Sequence, residues 1–285
     1  LKDILEKRYC SKAKVLNFLQ QIIDKLTKDF EYSTPQAFLN ETIFLDLQPE
    51  RKSQKKMLEL LKGLLADKYD FDFKDCGSIR KKNFIYLDDV LCTGNTLFND
   101  IKGWAKEEYI TGMTNQEAVE DDTAKLIFAF IVIHEKNYHK KKAQMRHKIS
   151  ESFSENITTY RIIKVQNGSS NTSAMDFLFP LEVNQPQAVK EYQISINEQV
   201  DEYTQKHGRT SPEEYYRDSN FPREEMFFSS KENRQKFENI LLNKGIEILD
   251  NANTNINNMR ALGYSLPSFK DFGFGTLCFT WRNVP

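Results

Sequence analysis

The sequence predicts an α/β fold, a parallel sheet flanked by helices. Three observations carry this. Lys125 to His134 reads KLIFAFIVIH, apolar on both faces, as an interior strand of a parallel sheet requires. Phe84-Ile-Tyr-Leu87 is a second apolar run, and it delivers Asp88 and Asp89 at its carboxyl end. Between the two lie about 35 residues with helical character from Leu97 to Glu108, the length and order of a right-handed β-α-β unit.

The elements follow in chain order. Residues 11 to 28 form an amphipathic helix, with Leu16, Leu19, Ile23 and Leu26 on one face, and Ser33-Thr34-Pro35 ends it. Thr42 to Leu47 is a compact buried strand. Pro49 then imposes a loop, and Ser53 caps a helix from Gln54 to Leu65. A polar hinge over Lys74 to Lys82 leads into the strand at Phe84. Thr159 to Val165 adds a further strand, and Gly168 to Ser173 a small polar loop. From Pro186 the texture changes: residues 187 to 260 are polar, rich in Asn and Glu, and helical in character. Phe237, Ile240, Leu241 and Ile248 are the expected buried positions there. Pro212 and Pro222 make Arg209 to Arg223 irregular, and Gly273 to Trp281 reads as a late strand. The expected organisation is an N-terminal helical segment (1–40), an α/β core (41–185), a helical insertion or cap (186–270) and a strand returning to the core (271–285).

Composition bounds the function. With 285 residues, of which 39% are hydrophobic and 28% charged, the chain can bury a sizeable core, and 21 Phe and 12 Tyr supply much of its volume. The net charge of −1 creates no global field, so any claim on nucleic acid must rest on local clusters. The four cysteines form no CxxC pair and the four histidines no HExxH spacing, which argues against a zinc site and a disulfide framework and fits a reducing cytosol. No apolar run approaches the roughly 20 residues of a membrane span and no signal-peptide pattern is present, so a cytoplasmic protein is expected.

The chemistry is concentrated in Asn83-Phe-Ile-Tyr-Leu-Asp-Asp-Val-Leu-Cys-Thr-Gly-Asn-Thr-Leu97. An apolar strand delivers two adjacent carboxylates, a tight Thr93-Gly94-Asn95-Thr96 loop follows, and a helix begins. Ligands of open α/β sheets bind at this end of the strands. Gly94 permits close backbone approach, while the helix N-terminus offers unpaired N–H groups to a phosphate. Asp88 and Asp89 would repel that phosphate, so they face sugar hydroxyls or Mg2+ instead. An ordinary β-α turn would also fit these residues, but two consecutive carboxylates at a strand end are costly without a ligand or cation.

The segment resembles the signature of type I phosphoribosyltransferases. The resemblance implies that Asp88 and Asp89 contact the ribose of phosphoribosyl pyrophosphate (PRPP) as the catalytic pair. Cys92, Thr93, Gly94, Asn95 and Thr96 would then cradle its 5′-phosphate, and Mg2+ would enter with the substrate rather than through direct protein ligation. A pyrophosphate loop is implied at Leu47 to Ser53, with Arg51, Lys52 and Ser53 as its contacts. No clear flexible hood of the family is visible, although residues 74–82 lie in the interval expected for it, and Arg80, Lys81 and Lys82 suit a solvated strand entry equally well. The topology is compatible over residues 40 to 165. The tail from Gly273 to Pro285, with the Phe227 to Leu249 region, is similar to a divergent branch found in bacterial anti-phage loci, some of its members beside retron reverse transcriptases. That likeness implies a defence effector and, as partners, a reverse transcriptase and its nucleic-acid product. Two other readings stand beside the enzyme: a non-catalytic PRPP- or nucleotide-binding regulatory module, and a degenerate-fold scaffold for a protein or nucleic acid. The basic run Lys136 to Lys148 is expected to be a solvated face, Trp104 and Trp281 core residues, and Cys92 no nucleophile.

Overall fold

The computed structural model describes residues 2–165, 178–208, 215–251, 261 and 279–280. The chain divides into two compact units, Cys10–Lys164 with Thr280–Pro285, and Leu1–Tyr9 with Val165–Phe279. The described elements begin with a short helix α1 (Lys2–Arg8) and a strand β1 (Tyr9–Cys10).

In the unit from Cys10, helix α2 (Lys12–Asp29) starts where the Ser11 hydroxyl accepts the Lys14 N–H at 3.2 Å. It buries Val15, Phe18, Leu19, Ile22, Ile23 and Leu26 along one side. Helix α3 (Pro35–Leu39) leads to β2 (Thr42–Leu45), and α4 (Ser53–Tyr69) follows. β2 stops two residues short of the expected Leu47 because the Leu47 and Gln48 N–H groups both donate to Gln54 Oε1, at 2.8 and 2.9 Å, instead of to a neighbouring strand. Lys52 rather than Ser53 occupies the cap of α4, without a side-chain bond, and Ser53 is the first helical residue. The helix continues past Leu65 because Leu64, Leu65 and Tyr69 extend its buried face, and it ends on left-handed Asp70.

Strand β3 (Asn83–Leu91) follows, then α5 (Asn95–Trp104), a hairpin of β4 (Glu108–Ile110) and β5 (Met113–Thr114), and α6 (Asn115–Glu120). β6 (Lys125–His134), α7 (Glu135–Lys148), α8 (Glu151–Glu155) and β7 (Ile157–Val165) complete the unit. The sheet is parallel, in the order β2-β3-β6-β7. Its register pairs Thr42 with Asn83 and Leu45 with Tyr86, then Asn83 with Lys125 and Leu91 with Ile133. β3 thus runs four residues beyond the expected Leu87, because β6 is long enough to pair with it as far as Ile133.

Phe84, Tyr86, Phe128 and Phe130 join α5, α6, α7 and α8 in one apolar cluster that includes Trp104 and Met145. Ile85 and Leu87, of the opposite parity, are also buried and so face the other side of the sheet. The 74–82 stretch lies beside the start of β2: Gly77, Ile79 and Lys82 donate backbone N–H groups to Leu39, Asn40 and Glu41 at 3.0 Å each. Arg80, Lys81 and Lys82 therefore enter β3 at its amino end, about 17 Å of strand away from Asp88.

The second unit contains α9 (Gln187–His207) and α10 (Lys231–Asp250). Its core gathers Leu178, Val189, Ile196, Tyr215, Phe227, Phe228, Leu242 and Ile246. The buried stripe of α10 is Arg234, Glu238, Leu242 and Ile246, so Ile240 and Ile248, expected to be buried, are 51% and 62% exposed. Phe237 and Leu241 flank the stripe, half-buried. Charges hold the displaced phase. Arg217 meets Glu238 at 3.0 Å, Arg234 spans Glu238 at 3.5 Å and Glu225 at 3.1 Å, and the Arg234 guanidinium stands 5.1 Å over the Phe228 ring. The described part of the expected late strand is β8 (Phe279–Thr280), which pairs with β1 and not with the four-stranded sheet. The rest of that strand with Trp281, the Gly168 to Ser173 loop and residues 209–214 lie outside the described residues.

Candidate active site

Asp88 and Asp89 lie in the carboxyl-terminal half of β3, only 7% and 8% exposed. Asp88 shares the parity of Tyr86 and ends a polar chain. Gln48 Nε2 donates to Asp88 Oδ2 and to the Tyr86 hydroxyl, both at 2.7 Å, and that hydroxyl donates to Asp100 Oδ2 on α5 at 2.8 Å. The Asp89 N–H donates to Asp88 Oδ1 at 2.8 Å, and the Val90 N–H to Asp89 Oδ1 at 2.7 Å. Burial and the adjacent Asp89 push the Asp88 carboxyl up to about 6, against the hydrogen bonds of Ser53, Gln48 and the Asp89 N–H. Burial likewise raises the Asp100 carboxyl and the Tyr86 phenol. The raised value marks a carboxylate that gains from a ligand or cation able to compensate its charge.

Cys92 and Thr93 turn the chain out of the strand. Gly94 caps α5 in the left-handed region at φ 71°, which glycine adopts without strain. Asn95 and Thr96 are the first two residues of α5, two positions earlier than its expected start at Leu97. The Phe98 N–H reaches the Gly94 carbonyl at 2.9 Å, and the Thr93 hydroxyl lies 3.4 Å from the Asn95 N–H. The N–H groups of Thr96 and Leu97 belong to the first turn, which no carbonyl of the same helix can satisfy.

The loop is braced from outside by α7. Asn137 Nδ2 donates to the Cys92 carbonyl at 2.8 Å, and Lys141 Nζ donates to Asn95 Oδ1 at 2.5 Å and to Gln144 Oε1 at 2.9 Å. Asn137, Lys141 and Met145 are spaced four apart and form one stripe, which runs from the loop into the core. The basic run is therefore not uniformly solvated: Lys141 and Lys142 are half-buried, while Lys140, Arg146 and Lys148 are exposed. Burial lowers the Lys141 pKa.

Of the candidate pyrophosphate contacts, Ser53 bonds to Asp88 and so joins the site. Arg51 and Lys52 are exposed in the loop before α4, Arg51 with a left-handed φ of 70°. Gln48, from the same loop, bridges Tyr86 and Asp88, so the loop after β2 reaches the carboxylate that β3 carries. Nothing in the pattern of residues marked Gln48, Tyr86 or Asp100 in advance. The only signal for Asn137 and Lys141 is their helical spacing within a basic run.

Among the described residues no group of three His, Cys, Asp or Glu side chains could hold a metal ion. Two adjacent carboxylates fall short of the six ligands Mg2+ takes, so they suit only a cation that brings substrate oxygens with it. His134, at the carboxyl end of β6, is pushed down to about 4 by burial and stands neutral.

The parallel sheet and its flanking helices are those of an α/β protein of the phosphoribosyltransferase type. The family model PRTase-CE matches residues 1–285, and the chain belongs to that family. No curated protein and no solved structure matches it. Among the described residues no helix is long and apolar enough to cross a membrane.

Proposed function

We propose that the chain is an enzyme that binds PRPP or a nucleotide and makes or breaks the bond at ribose C1. The observation that carries the reading is the buried Asp88, met by Gln48 from the loop after β2, on the strand that leads into a helix N-terminus built around Gly94. The first-turn N–H groups of α5, with the Thr93 and Thr96 hydroxyls, bind the 5′-phosphate. Asp88 and Asp89 accept hydrogen bonds from the ribose hydroxyls. Their charge also offsets the positive charge that develops at C1 in an oxocarbenium-like transition state. Positioning by Gln48 and Ser53 keeps Asp88 in place for that task. Asp88 and Asp89 are the residues that would face a Mg2+ ion entering on the substrate's oxygens, and that ion would supply charge neutralisation at the leaving pyrophosphate.

The test is calorimetric titration of the purified chain with PRPP and with nucleoside monophosphates, with and without Mg2+, followed by product analysis by mass spectrometry. Asp88→Asn/Asp89→Asn is expected to abolish turnover and weaken binding at least tenfold while the circular dichroism spectrum stays unchanged. Full turnover in the double variant would remove the assignment.

One observation favours a regulatory binding module instead. The 74–82 stretch is tied down at the amino end of the strands, so it lays no hood over Asp88. Tight binding without any product separates that reading from the enzyme. Half-burial of Lys141 and Lys142 weighs against a scaffold that presents the whole basic run to a partner. The likeness of the 273–285 tail to defence-associated proteins supports an effector role, in which a reverse transcriptase and its nucleic-acid product control the activity. Co-purification from cells expressing both proteins tests that pairing.

A further inference from the structure

Lys141 stands where an isolated ammonium group is electrostatically disfavoured. Its Nζ reaches the side chain of Asn95, the first residue of α5, and its Cγ would meet a Cβ on Gly94 at 2.6 Å. It therefore lies against the amino end of α5, where the helix dipole is positive and repels a cation. Its hydrogen-bond partners, Asn95 and Gln144, are neutral amides, and among the described residues no carboxylate pairs with it. Two positive features thus meet at one point without a counter-charge. α7 holds the arrangement in place: Asn137, one turn earlier on the same face, grips the Cys92 carbonyl, and Met145, one turn later, is fully buried.

We infer that Lys141 is a phosphate-binding residue of this site, delivered from α7 to the loop between β3 and α5. The missing counter-charge is the phosphate monoester of the ligand. Upon binding, Nζ exchanges the Asn95 amide for a phosphate oxygen, and the Asn95 side chain becomes free to donate to the same group. A charge-assisted bond replaces a neutral one, and the dianion neutralises both the ammonium and the helix end. Gly94 is needed for this approach as well as for the turn, since any side chain there would displace Lys141. The inference rests on the phosphoribosyl reading of the site, whose own anchor is the carboxylate pair on β3.

Ribose 5-phosphate is the probe, because it needs no assumption about the base. Its affinity is measured by calorimetry for the wild type, Lys141→Met, Lys141→Arg and Asp88→Asn/Asp89→Asn, with melting temperatures alongside. Lys141→Met is expected to weaken binding about 10- to 100-fold, the weight of one hydrogen bond to a charged group. Lys141→Arg is expected to stay within about threefold of wild type, with both melting temperatures unchanged. A loss for Lys141→Met that Lys141→Arg does not restore would assign the residue a packing role and overturn the inference. So would wild-type affinity in Lys141→Met while the Asp88/Asp89 variant fails to bind, and in that case the phosphoribosyl reading survives. If the wild type binds neither ribose 5-phosphate nor PRPP, both fall together.

Discussion

Asp88 is held between opposing influences. Burial and Asp89 raise its pKa to about 6, while Ser53, Gln48 and the Asp89 N–H pull it down without prevailing. The folded value lies above the unfolded value near 3.9, so the folded chain binds this proton more tightly and loses stability as pH rises from about 4 to about 6. Two pK units correspond to roughly 2–3 kcal/mol, present as a cost above pH 6. Asp88→Asn removes that cost but forfeits one of the acceptors now used by Gln48 and the Asp89 N–H, worth about 1 kcal/mol. Without ligand, Asp88→Asn should therefore be less stable than wild type near pH 3, below both pKa values, and more stable at pH 8. Thermal unfolding across that range measures the difference, and a flat difference would mean that Asp88 does not carry the proton. The fate of this carboxylate could not be read from the residues alone. Two aspartates after an apolar run announce a site, but the pKa of the first depends on Gln48 and Ser53, which the fold brings from some 40 positions away.

The turn from β3 into α5 is held by glycine geometry and by α7 together. Gly94→Ala places a residue with Cβ at φ 71° and pushes it against Lys141, so about 1–2 kcal/mol of destabilisation is expected with loss of phosphate binding. The double variant Gly94→Ala/Lys141→Ala should recover the steric part and keep the backbone part, about 1 kcal/mol, in urea unfolding midpoints. Elements whose burial follows one local period were legible in the sequence. α2 shows its apolar face at helical spacing, and β6 is an unbroken apolar run because helices cover both sides of the sheet. Where long-range partners set the outcome, the pattern misleads. β3 continues through its own carboxylates because β6 pairs with it, and α7 reads as a solvated basic helix although its Asn137–Lys141–Met145 stripe faces inward. In α10 the isoleucines at 240 and 248 look like core, yet the charged Arg234 and Glu238 take the inner face.

At the scale of the whole chain, two units are built on different cores. The α/β unit surrounds its sheet with aliphatic and aromatic side chains, whereas the second unit encloses Arg217, Glu225, Arg234 and Glu238. Burial pushes the Glu238 carboxyl up against the pull of Arg217 and Arg234. Glu238→Ala leaves two guanidinium groups without that partner and is expected to cost the second unit about 3–5 kcal/mol. Hydrogen exchange should then accelerate in α9 and α10, while β3 and β6 keep their protection and ribose 5-phosphate affinity is unchanged. Equal acceleration in β3 would show that the units unfold as one. The charged core also gives the second unit its own response to temperature. Hydration of ions becomes less favourable on heating, so the penalty for enclosing these four side chains shrinks as the sample warms. Apolar burial weakens on cooling instead. Chilling therefore weakens the second unit on both counts, because its apolar contacts fade as its enclosed charges become more costly, whereas warming relieves the ionic half of that burden.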